Sequence, residues 1–431
     1  MQILIAVLGL SILILVHEIG HFTAAKLLKV KVLEFAVFMG PKLLSVKRGE
    51  TVYSLRAVPI GGFIKMEGEE EDSDDERAFG KKPKWVRATV FFAGPLANML
   101  VAFIFMLIVS MNIQSGTCEL SAVAPGSPAA AAGLQAGDVI LKYGGKTVKT
   151  PTDFEVYLID SRGAEKSVTF QRDGQLHEGM LKPEYIARGY YLLGFNSMET
   201  YGPNWNVAES VSEGGPASAA GMEAGDRVIS VDGVPINSRE ELRGALALKG
   251  GGESAVVVQR GGESLELKIT PQKSNSEERF IIGAGYVFVN STGLLDGAKH
   301  AINNAVSDSR MILYTLKWLV TGRVGIDQMM GFVGIVTVIG DVVEVSGGVG
   351  TTMIFTLMSF LALISVNLAL FNLIPFPALD GNKLLLILIE AIRGKKIPPE
   401  KEATISFVGL ALLILLMAVT LFNDIGRLIA R

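Results

Sequence analysis

Hydrophobic residues are concentrated in four long stretches, and polar positions dominate the segments between them. The stretches cover residues 1–28, 88–113, 353–378 and 404–425. Each exceeds the roughly 20 mostly apolar residues that a helix needs to cross a bilayer. We therefore predict about four transmembrane helices. A cleaved signal peptide is the alternative for the first stretch, but Met1-Gln2 offers no basic region and no small-residue cleavage site follows the apolar core.

Lysine and arginine are concentrated in two of the segments that connect these stretches. One is residues 29–87, and the other is the short link between the third and fourth stretches. An excess of these residues marks loops on the cytoplasmic side of a membrane. The N-terminus, the long middle region and the C-terminus are therefore predicted to lie outside the cytoplasm.

The cytoplasmic segment 29–87 contains two short runs with β-strand character. Thr51–Leu55 and Phe63–Met66 flank Pro59-Ile60-Gly61-Gly62, whose proline and glycines favour a turn. We predict a membrane-associated β-hairpin, whose free edge would be able to pair with an extended peptide. An ordinary surface hairpin is the alternative. The acidic run Glu69–Glu76 is predicted to be a solvated loop, because like charges repel one another.

The middle of the chain contains an internal repeat. Gly133–Asp138 is echoed by Gly221–Asp226, and Gln171–Gly174 is echoed by Gln259–Gly262. Both pairs are separated by 88 positions (221 − 133 and 259 − 171). An unbroken offset of this length indicates two copies of one small domain.

We place these two copies at residues 116–190 and 191–273. In each, a Gly-Asp turn precedes an apolar strand, which resembles a PDZ domain, a module that binds extended chain ends by strand addition. Leu192-Leu193-Gly194-Phe195 resembles the loop that holds a terminal carboxylate in such domains. Residues 292–350 are predicted to be amphipathic and interfacial. Within them, 332–345 is too short to span, so it is expected to be re-entrant or interfacial, unless it forms a fifth hydrophobic element.

Composition agrees with a chain that is partly membrane and partly soluble. Of the 431 residues, 49% are hydrophobic and 19% are charged, and the net charge is −3. A nearly neutral chain argues against a nucleic-acid partner. The single cysteine, Cys118, excludes an intrachain disulfide framework and a cysteine-rich zinc site. The predicted fold is a polytopic α-helical membrane protein with a cytoplasmic-side β-hairpin and two extracytoplasmic PDZ domains of the α+β class.

The first hydrophobic stretch contains the sequence His17-Glu18-Ile19-Gly20-His21. On a helix, His17 and His21 are one turn apart and project from the same face. This spacing lets both bind one metal ion, with Glu18 beside them to take a proton from water. An ionisable group at bilayer depth costs about 2.5–3.5 kcal/mol, so a functional role is favoured. A pair of hydrogen-bonded core histidines is the alternative.

A catalytic zinc site usually has three protein ligands, so a third is expected at the same membrane depth. Asp380 is the acidic residue nearest the end of the third stretch, and Pro375 and Pro377 would bend the chain toward it. Asn367 and Asn372 lie in the same stretch. Each would either hydrogen-bond a neighbouring helix or contact the substrate backbone and a developing oxyanion.

These motifs together resemble the site-2 protease family, most closely its bacterial intramembrane members with tandem PDZ domains. The similarity extends over essentially the whole chain. The matching segments are His17–Phe22, Phe35–Pro41, Pro59–Phe63, Ala93–Asn98, the two PDZ-like copies and Asn372–Gly381. Relatives often continue the aspartate motif as Asp-Gly-Gly-His, whereas this chain has Asp380-Gly381-Asn382-Lys383.

The resemblance implies an intramembrane zinc metalloprotease in the bacterial plasma (inner) membrane, with its active site toward the cytoplasm. Such enzymes cut single-span membrane proteins, for example anti-sigma factors, in regulated intramembrane proteolysis. By likeness, His17, His21 and Asp380 would bind Zn2+ and Glu18 would be the general base. The implied substrate contacts are Asn372, Asn367, Gly61, Gly62 and Phe63.

The PDZ-like copies would bind extended peptides or chain ends and filter substrates by size. Two other classes of function are still open from the residues alone. One is a membrane-anchored PDZ scaffold with an inactive metal motif, and the other is a metal-binding transporter component. A scaffold predicts that Glu18→Gln leaves function intact, whereas a protease predicts loss of cleavage.

Overall fold

The structure is a computed structural model that describes residues 2–69, 71, 73–186, 190–197, 204–274, 279–325, 329, 331, 333–338, 350–395 and 397–429. It divides into two compact units. The helical unit comprises Met1–Ser115 and Asn290–Arg431, and the strand-rich unit comprises Gly116–Val289. Of the predicted re-entrant segment 332–345, residues 333–338 are helical, and the others lie outside the described residues.

The secondary-structure elements are numbered in chain order. The helices are α1 (Gln2–Leu27), α2 (Lys84–Asn112), α3 (Pro128–Ala131), α4 (Pro151–Ser161), α5 (Pro216–Ala219), α6 (Arg239–Leu248), α7 (Leu294–Val320), α8 (Thr351–Leu373), α9 (Asp380–Arg393) and α10 (Pro399–Ile429). The strands are β1 (Val32–Arg48), β2 (Thr51–Met66), β3 (Ser115–Val123), β4 (Val139–Tyr143), β5 (Lys146–Thr147), β6 (Lys166–Arg172), β7 (Gln175–Leu181), β8 (Glu184–Ile186), β9 (Tyr191–Leu192), β10 (Phe195–Ser197), β11 (Ala208–Val211), β12 (Arg227–Val231), β13 (Val234–Pro235), β14 (Ser254–Arg260), β15 (Glu263–Ile269), β16 (Gln272–Lys273), β17 (Arg279–Ile281) and β18 (Ala284–Val289).

Within the described residues, four helices are long and apolar enough to cross a membrane, judged by length and composition. They correspond to the four predicted stretches, at Val7–Leu27, Lys84–Asn112, Met353–Leu373 and Lys401–Gly426. With its β-rich regions, the chain is therefore an α+β protein of the multi-pass membrane type.

The third of these helices ends earlier than the predicted residue 378. Helix α8 stops at Leu373, and Ile374 is extended with ψ 137°. Pro375 explains this end, because the residue before a proline is disfavoured in the helical region. The chain then begins a new helix, α9, which the sequence analysis did not anticipate. Its buried Asn382, Leu386 and Glu390 are spaced four residues apart, which is the helical signal that was missed.

Helices α1 and α2 approach each other unusually closely. A methyl group added at Gly20 would lie 2.3 Å from the Ala93 carbonyl oxygen and 2.8 Å from Ala97 Cβ. Real carbon atoms do not come this close, so only glycine fits at this crossing. The small residues Ala93 and Ala97 therefore allow α2 to lie directly against the signature helix.

Strands β1 and β2 form one sheet, but not the simple hairpin that was predicted. Residues 34–37 face two partners at once, 65–62 on one side and 52–55 on the other. The outer part of β1, residues 42–48, faces 56–51. The segments 51–55 and 63–66 are therefore separated by 32–37 instead of pairing with each other. Val32 and Ala36 are fully buried, which explains why their segment takes an inner position.

The strand-rich unit consists of two modules built on the same plan. In the first module the strand order is β18-β3-β4-β6-β7, with β5 beside β4. In the second it is β13-β12-β14-β15, and β10 pairs with β11. The last strand of the first module therefore comes from residues that follow the second module.

This return of the chain extends the first module beyond the predicted range 116–190. Thr117 Oγ1 donates to the Val287 carbonyl at 3.1 Å, and Ala124 N donates to the Gly283 carbonyl at 2.9 Å. The equivalent bond in the second module joins Ser212 N to the Gly194 carbonyl at 3.0 Å. Residues 282–283 thus hold the position in the first module that 193–194 hold in the second. The second module is inserted between β8 and β17, which pair with each other.

The repeated Gly-Asp and Gln-Arg motifs are two halves of one interaction. Arg172 binds both carboxylate oxygens of Asp138 at 2.7 and 2.8 Å, and Arg260 binds those of Asp226 at 2.7 Å. Burial alone would raise the pKa of Asp138, but the hydrogen bonds from Arg172 lower it. Arg260 likewise lowers the pKa of Asp226. The repeat therefore preserves a buried charge pair that fixes the turn before the central strand.

Candidate metal centre

Side chains from two distant parts of the chain meet in the helical unit. His17 Nε2 lies 3.0 Å and His21 Nε2 lies 3.2 Å from Asp380 Oδ2. The two imidazole nitrogens are 3.1 Å apart. Both histidines are buried on α1, and the aspartate is the first residue of α9. The structure therefore brings together the three residues that the sequence predicts as metal ligands.

The turn between α8 and α9 delivers Asp380 to this position. A methyl group at Gly381 would lie 2.3 Å from the carbonyl oxygens of Leu373 and Ile374. Only glycine therefore permits the first turn of α9 to fold back against the end of α8. Farther along α9, Glu390 forms a buried ion pair with Arg87 of α2 at 2.6 Å. This pair ties the helix that supplies Asp380 to α2.

The hydrogen-bond pattern shows that the three atoms suit a cation. His21 Nδ1 lies 2.8 Å from the Val90 carbonyl, and a carbonyl can only accept, so Nδ1 has the hydrogen. The lone pair of a neutral His21 is then on Nε2, facing Asp380 Oδ2. Within the described residues, this buried oxygen has no hydrogen-bond partner apart from the two Nε2 atoms that face it. Two acceptors facing each other are unfavourable unless a positive charge lies between them.

The spacing and the donor types also fit zinc. Tetrahedral zinc with bonds of about 2.0–2.1 Å places its ligand atoms about 3.3 Å apart. The three separations here are 3.0–3.2 Å. Two imidazoles and one carboxylate are a known ligand set for a catalytic zinc that keeps one position open.

Helix α2 lies directly behind the two imidazoles. A methyl group at Gly94 would be 2.4 Å from His21 Nε2 and 2.8 Å from His17 Cε1. In the sequence, Ala93–Asn98 supported only the family resemblance, and no role was predicted for Gly94. The available signal was the cluster of small residues in a long apolar helix, which marks close helix packing.

Glu18 lies beside one edge of the β1–β2 sheet. A methyl group at Gly62 would lie 3.7 Å from Glu18 Cγ and 2.8 Å from the Ala36 carbonyl oxygen. Gly61 has φ +72°, which glycine adopts without strain. The ring of Phe63 lies under the Arg56 guanidinium at 4.8 Å. The predicted substrate-contact residues Gly61, Gly62 and Phe63 are thus in the sheet edge nearest Glu18.

A charged cluster holds the sheet together across three of its segments. Glu34 accepts from Ser54 at 2.7 Å and Arg56 at 2.9 Å, and it pairs with Lys42 at 3.0 Å. Burial alone would raise the pKa of Glu34, but these partners lower it to about 2. Glu34 is therefore ionised at neutral pH, and its bonds fix the relative positions of the segments.

The two predicted asparagines lie on α8. The side chain of Asn367 is exposed, and Asn372 is half-buried close to the end of the helix. In the part of the chain that the structure describes, neither is hydrogen-bonded to the three clustered side chains. Their contact with substrate stays a prediction.

A polar cavity of about 660 Å³ opens close to this centre. Its wall includes Arg87 and Phe91 of α2 and Lys383 and Glu390 of α9. The Phe91 ring also contacts the His21 ring, with their centroids 6.5 Å apart. Phe91 therefore lines the cavity and contacts His21, whereas His17, His21 and Asp380 are not among the described residues of the cavity wall.

The model of peptidase family M50 matches residues 5–416. The zinc metalloprotease RasP of Shouchella clausii is 30% identical over 427 residues, covering 97% of both chains. The regulator of sigma-W protease RasP of Bacillus subtilis is 28% identical over 433 residues, covering 96% of both chains. Among solved structures, the PDZ domain of HtrA3 is 19% identical and covers 23% of this chain and 92% of its own. Its TM-score of 0.17 is too low to bear on the fold.

Proposed function

Because this chain belongs to peptidase family M50, the site-2 proteases, and is a zinc metalloprotease, we propose that it cleaves single-span membrane proteins within or near their transmembrane segment. One observation supports this proposal most: His17 and His21 lie on a helix long enough to span a membrane, and Asp380 lies beside them. Glu18 follows His17 directly on that helix.

Each residue of the centre has a distinct proposed role. His17, His21 and Asp380 hold the zinc, which when bound supplies the Lewis acidity that activates water and polarises a carbonyl. Glu18 accepts the proton of the attacking water and passes it to the leaving amine. Asn372, with Asn367 nearby, orients the substrate main chain and donates to the developing oxyanion.

The substrate must be unwound before it can be cut, since a helical carbonyl is hydrogen-bonded and shielded. We place the unwound segment against the sheet edge of residues 62–66. Strand pairing there would replace the lost helical hydrogen bonds. The proximity of Gly62 to Glu18 supports this arrangement, because a paired strand would then run past the general base.

The proposed setting is the bacterial plasma (inner) membrane, with the active site toward the cytoplasmic face. The lysine and arginine distribution supports this orientation. One relative is a regulator of sigma-W protease, so an anti-sigma factor is a proposed class of substrate. The two modules of the strand-rich unit are proposed to be PDZ domains that bind extended peptides or chain ends and exclude substrates with a bulky outer domain.

We expect purified protein in detergent to cut a single-span test substrate inside its apolar segment, at a site mapped by mass spectrometry. Removing zinc with a chelator should stop cleavage, and adding zinc should restore it. The matched control is the same substrate with its apolar segment replaced by a soluble linker, which should stay intact. Two results would contradict the proposal of zinc-dependent cleavage within the membrane. One is cleavage of that control at an equal rate, and the other is cleavage that continues in the presence of the chelator.

Replacing Gly116–Val289 with a short linker should leave cleavage intact but relax substrate selection. The deletion must include β17 and β18, because these strands complete the first module. The flanks can be joined, since Ser291 Oγ donates to the Ser110 carbonyl at 2.7 Å. The readout is the ratio of rates for substrates with and without a folded outer domain. An unchanged ratio in the deletion variant would disprove the size filter.

A further inference from the structure

One face of α2 contacts both histidines of the metal centre. Val90, Gly94 and Asn98 are four residues apart, so they lie above one another on this face. The Val90 carbonyl accepts from His21 Nδ1 at 2.8 Å. Gly94 provides the space in which both rings lie. Asn98 occupies the position next to His17.

Asn98 is an amide in a setting that favours an apolar residue. It is 0% exposed and lies on a helix long and apolar enough to span a membrane. Its Nδ2 lies 3.5 Å from His17 Nδ1, the outer limit of a hydrogen bond. Within the described residues, its Oδ1 has no hydrogen-bond partner. A buried amide that is poorly satisfied costs stability, which points to a role in the state with metal bound.

A ligand histidine needs a partner for its second ring nitrogen. Such a partner fixes which nitrogen has the hydrogen and which presents the lone pair to the metal. For His21 the partner is the Val90 carbonyl. For His17 the neighbouring group is the Asn98 amide, whose two ends are similar in size and exchange by a half-turn about the Cβ–Cγ bond. With Oδ1 toward the ring, the amide accepts from Nδ1–H and leaves Nε2 free to bind metal.

We propose that Asn98 is a positioning residue that fixes the orientation and tautomer of His17 for zinc binding. This inference rests on the proposed role of His17 as a ligand. Asn98 acts through the imidazole and touches neither substrate nor the reacting atoms. The main chain of Asn98 makes a separate contact: Ser365 Oγ donates a hydrogen bond to the Asn98 carbonyl at 2.8 Å. That contact supplies a matched control.

The test is the zinc dissociation constant of the full chain in detergent, measured by competition with a chelator of known affinity. Asn98→Leu should weaken zinc binding by roughly 10–100-fold, the usual effect of losing such a partner. Asn98→Asp should stay within a few-fold of wild type, because its carboxylate still accepts from Nδ1–H. Ser365→Ala should bind zinc like wild type. The visible spectrum of the Co2+-substituted protein should shift in Asn98→Leu only.

The melting temperature of each zinc-free variant shows whether a loss of zinc affinity comes from a misplaced His17 or from a loss of folding stability. If Asn98→Leu does not yield folded protein, Asn98→Ala replaces it with the same expected loss. Wild-type zinc affinity in a folded Leu or Ala variant would overturn the inference, as would equal weakening in Asn98→Asp. A wild-type protein that binds zinc but cuts no single-span substrate would refute the proposed function and leave the role of Asn98 standing.

Discussion

Glu18→Gln is expected to slow cleavage by roughly 10²–10⁴-fold, the usual contribution of a general base. The amide has nearly the shape of the carboxylate, so the packing beside Gly62 is preserved. It cannot take the proton of the attacking water at neutral pH. Zinc content and substrate binding should be unchanged, because Glu18 supplies none of the three clustered ligand atoms.

The measurement is the single-turnover rate on the test substrate, with zinc content and substrate capture determined on the same samples. Glu50→Gln is the control, since Glu50 is a half-buried glutamate of the same unit that pairs with Lys26 at 3.0 Å. It should cut like wild type. Equal rates for Glu18→Gln and wild type would refute the general-base role and favour a scaffold. Loss of zinc in Glu18→Gln would instead assign Glu18 to the structure of the site.

Gly94→Ala is expected to impair the metal site through a single methyl group. That methyl would lie 2.4 Å from His21 Nε2, so an imidazole or a helix must shift. Helices α1 and α2 cannot separate easily, because Gly20 already packs against Ala93 and Ala97. Overpacking of this kind costs about 1–3 kcal/mol, which corresponds to roughly 5–150-fold weaker zinc binding.

Zinc retained per chain after dialysis against a chelator measures this effect, and the cleavage rate should fall in parallel. Gly426→Ala is the matched control, because its added methyl on helix α10 meets no atom of the described residues within 4 Å, apart from the helix's own backbone. It should retain zinc and activity. Wild-type zinc affinity in Gly94→Ala would show that the imidazoles can move away from α2. The close packing described here would then not be required for metal binding.

The prediction of family, zinc and protease class is confirmed by the family match and the relatives. These features depend on short motifs whose chemistry is local. His17 and His21 are one helical turn apart, so their shared face follows from helix geometry alone. Asp380 could be nominated because the membrane limits which acidic residues reach the same depth.

Other features could not be predicted, because they depend on which segments are neighbours in space. The pattern of residues 51–66 indicates strands, but it does not show that 32–37 lies between them. The repeat of 88 positions revealed two modules, yet the chain returns at β18 to complete the first. Helix α9 was not predicted, because its 14 residues are too few to span a bilayer and follow closely on the break at Pro375 and Pro377.

The sequence by itself therefore determined the four apolar helices, the duplicated module and the identity of the three side chains that meet in the candidate metal centre. These follow from hydrophobicity, repetition and the spacing of donors, which are properties of the chain in order. Only the tertiary structure decided how α2 contacts both imidazoles through Val90, Gly94 and Asn98. That arrangement depends on distances of a few tenths of an ångström between helices, and nothing in the order of residues specifies such distances.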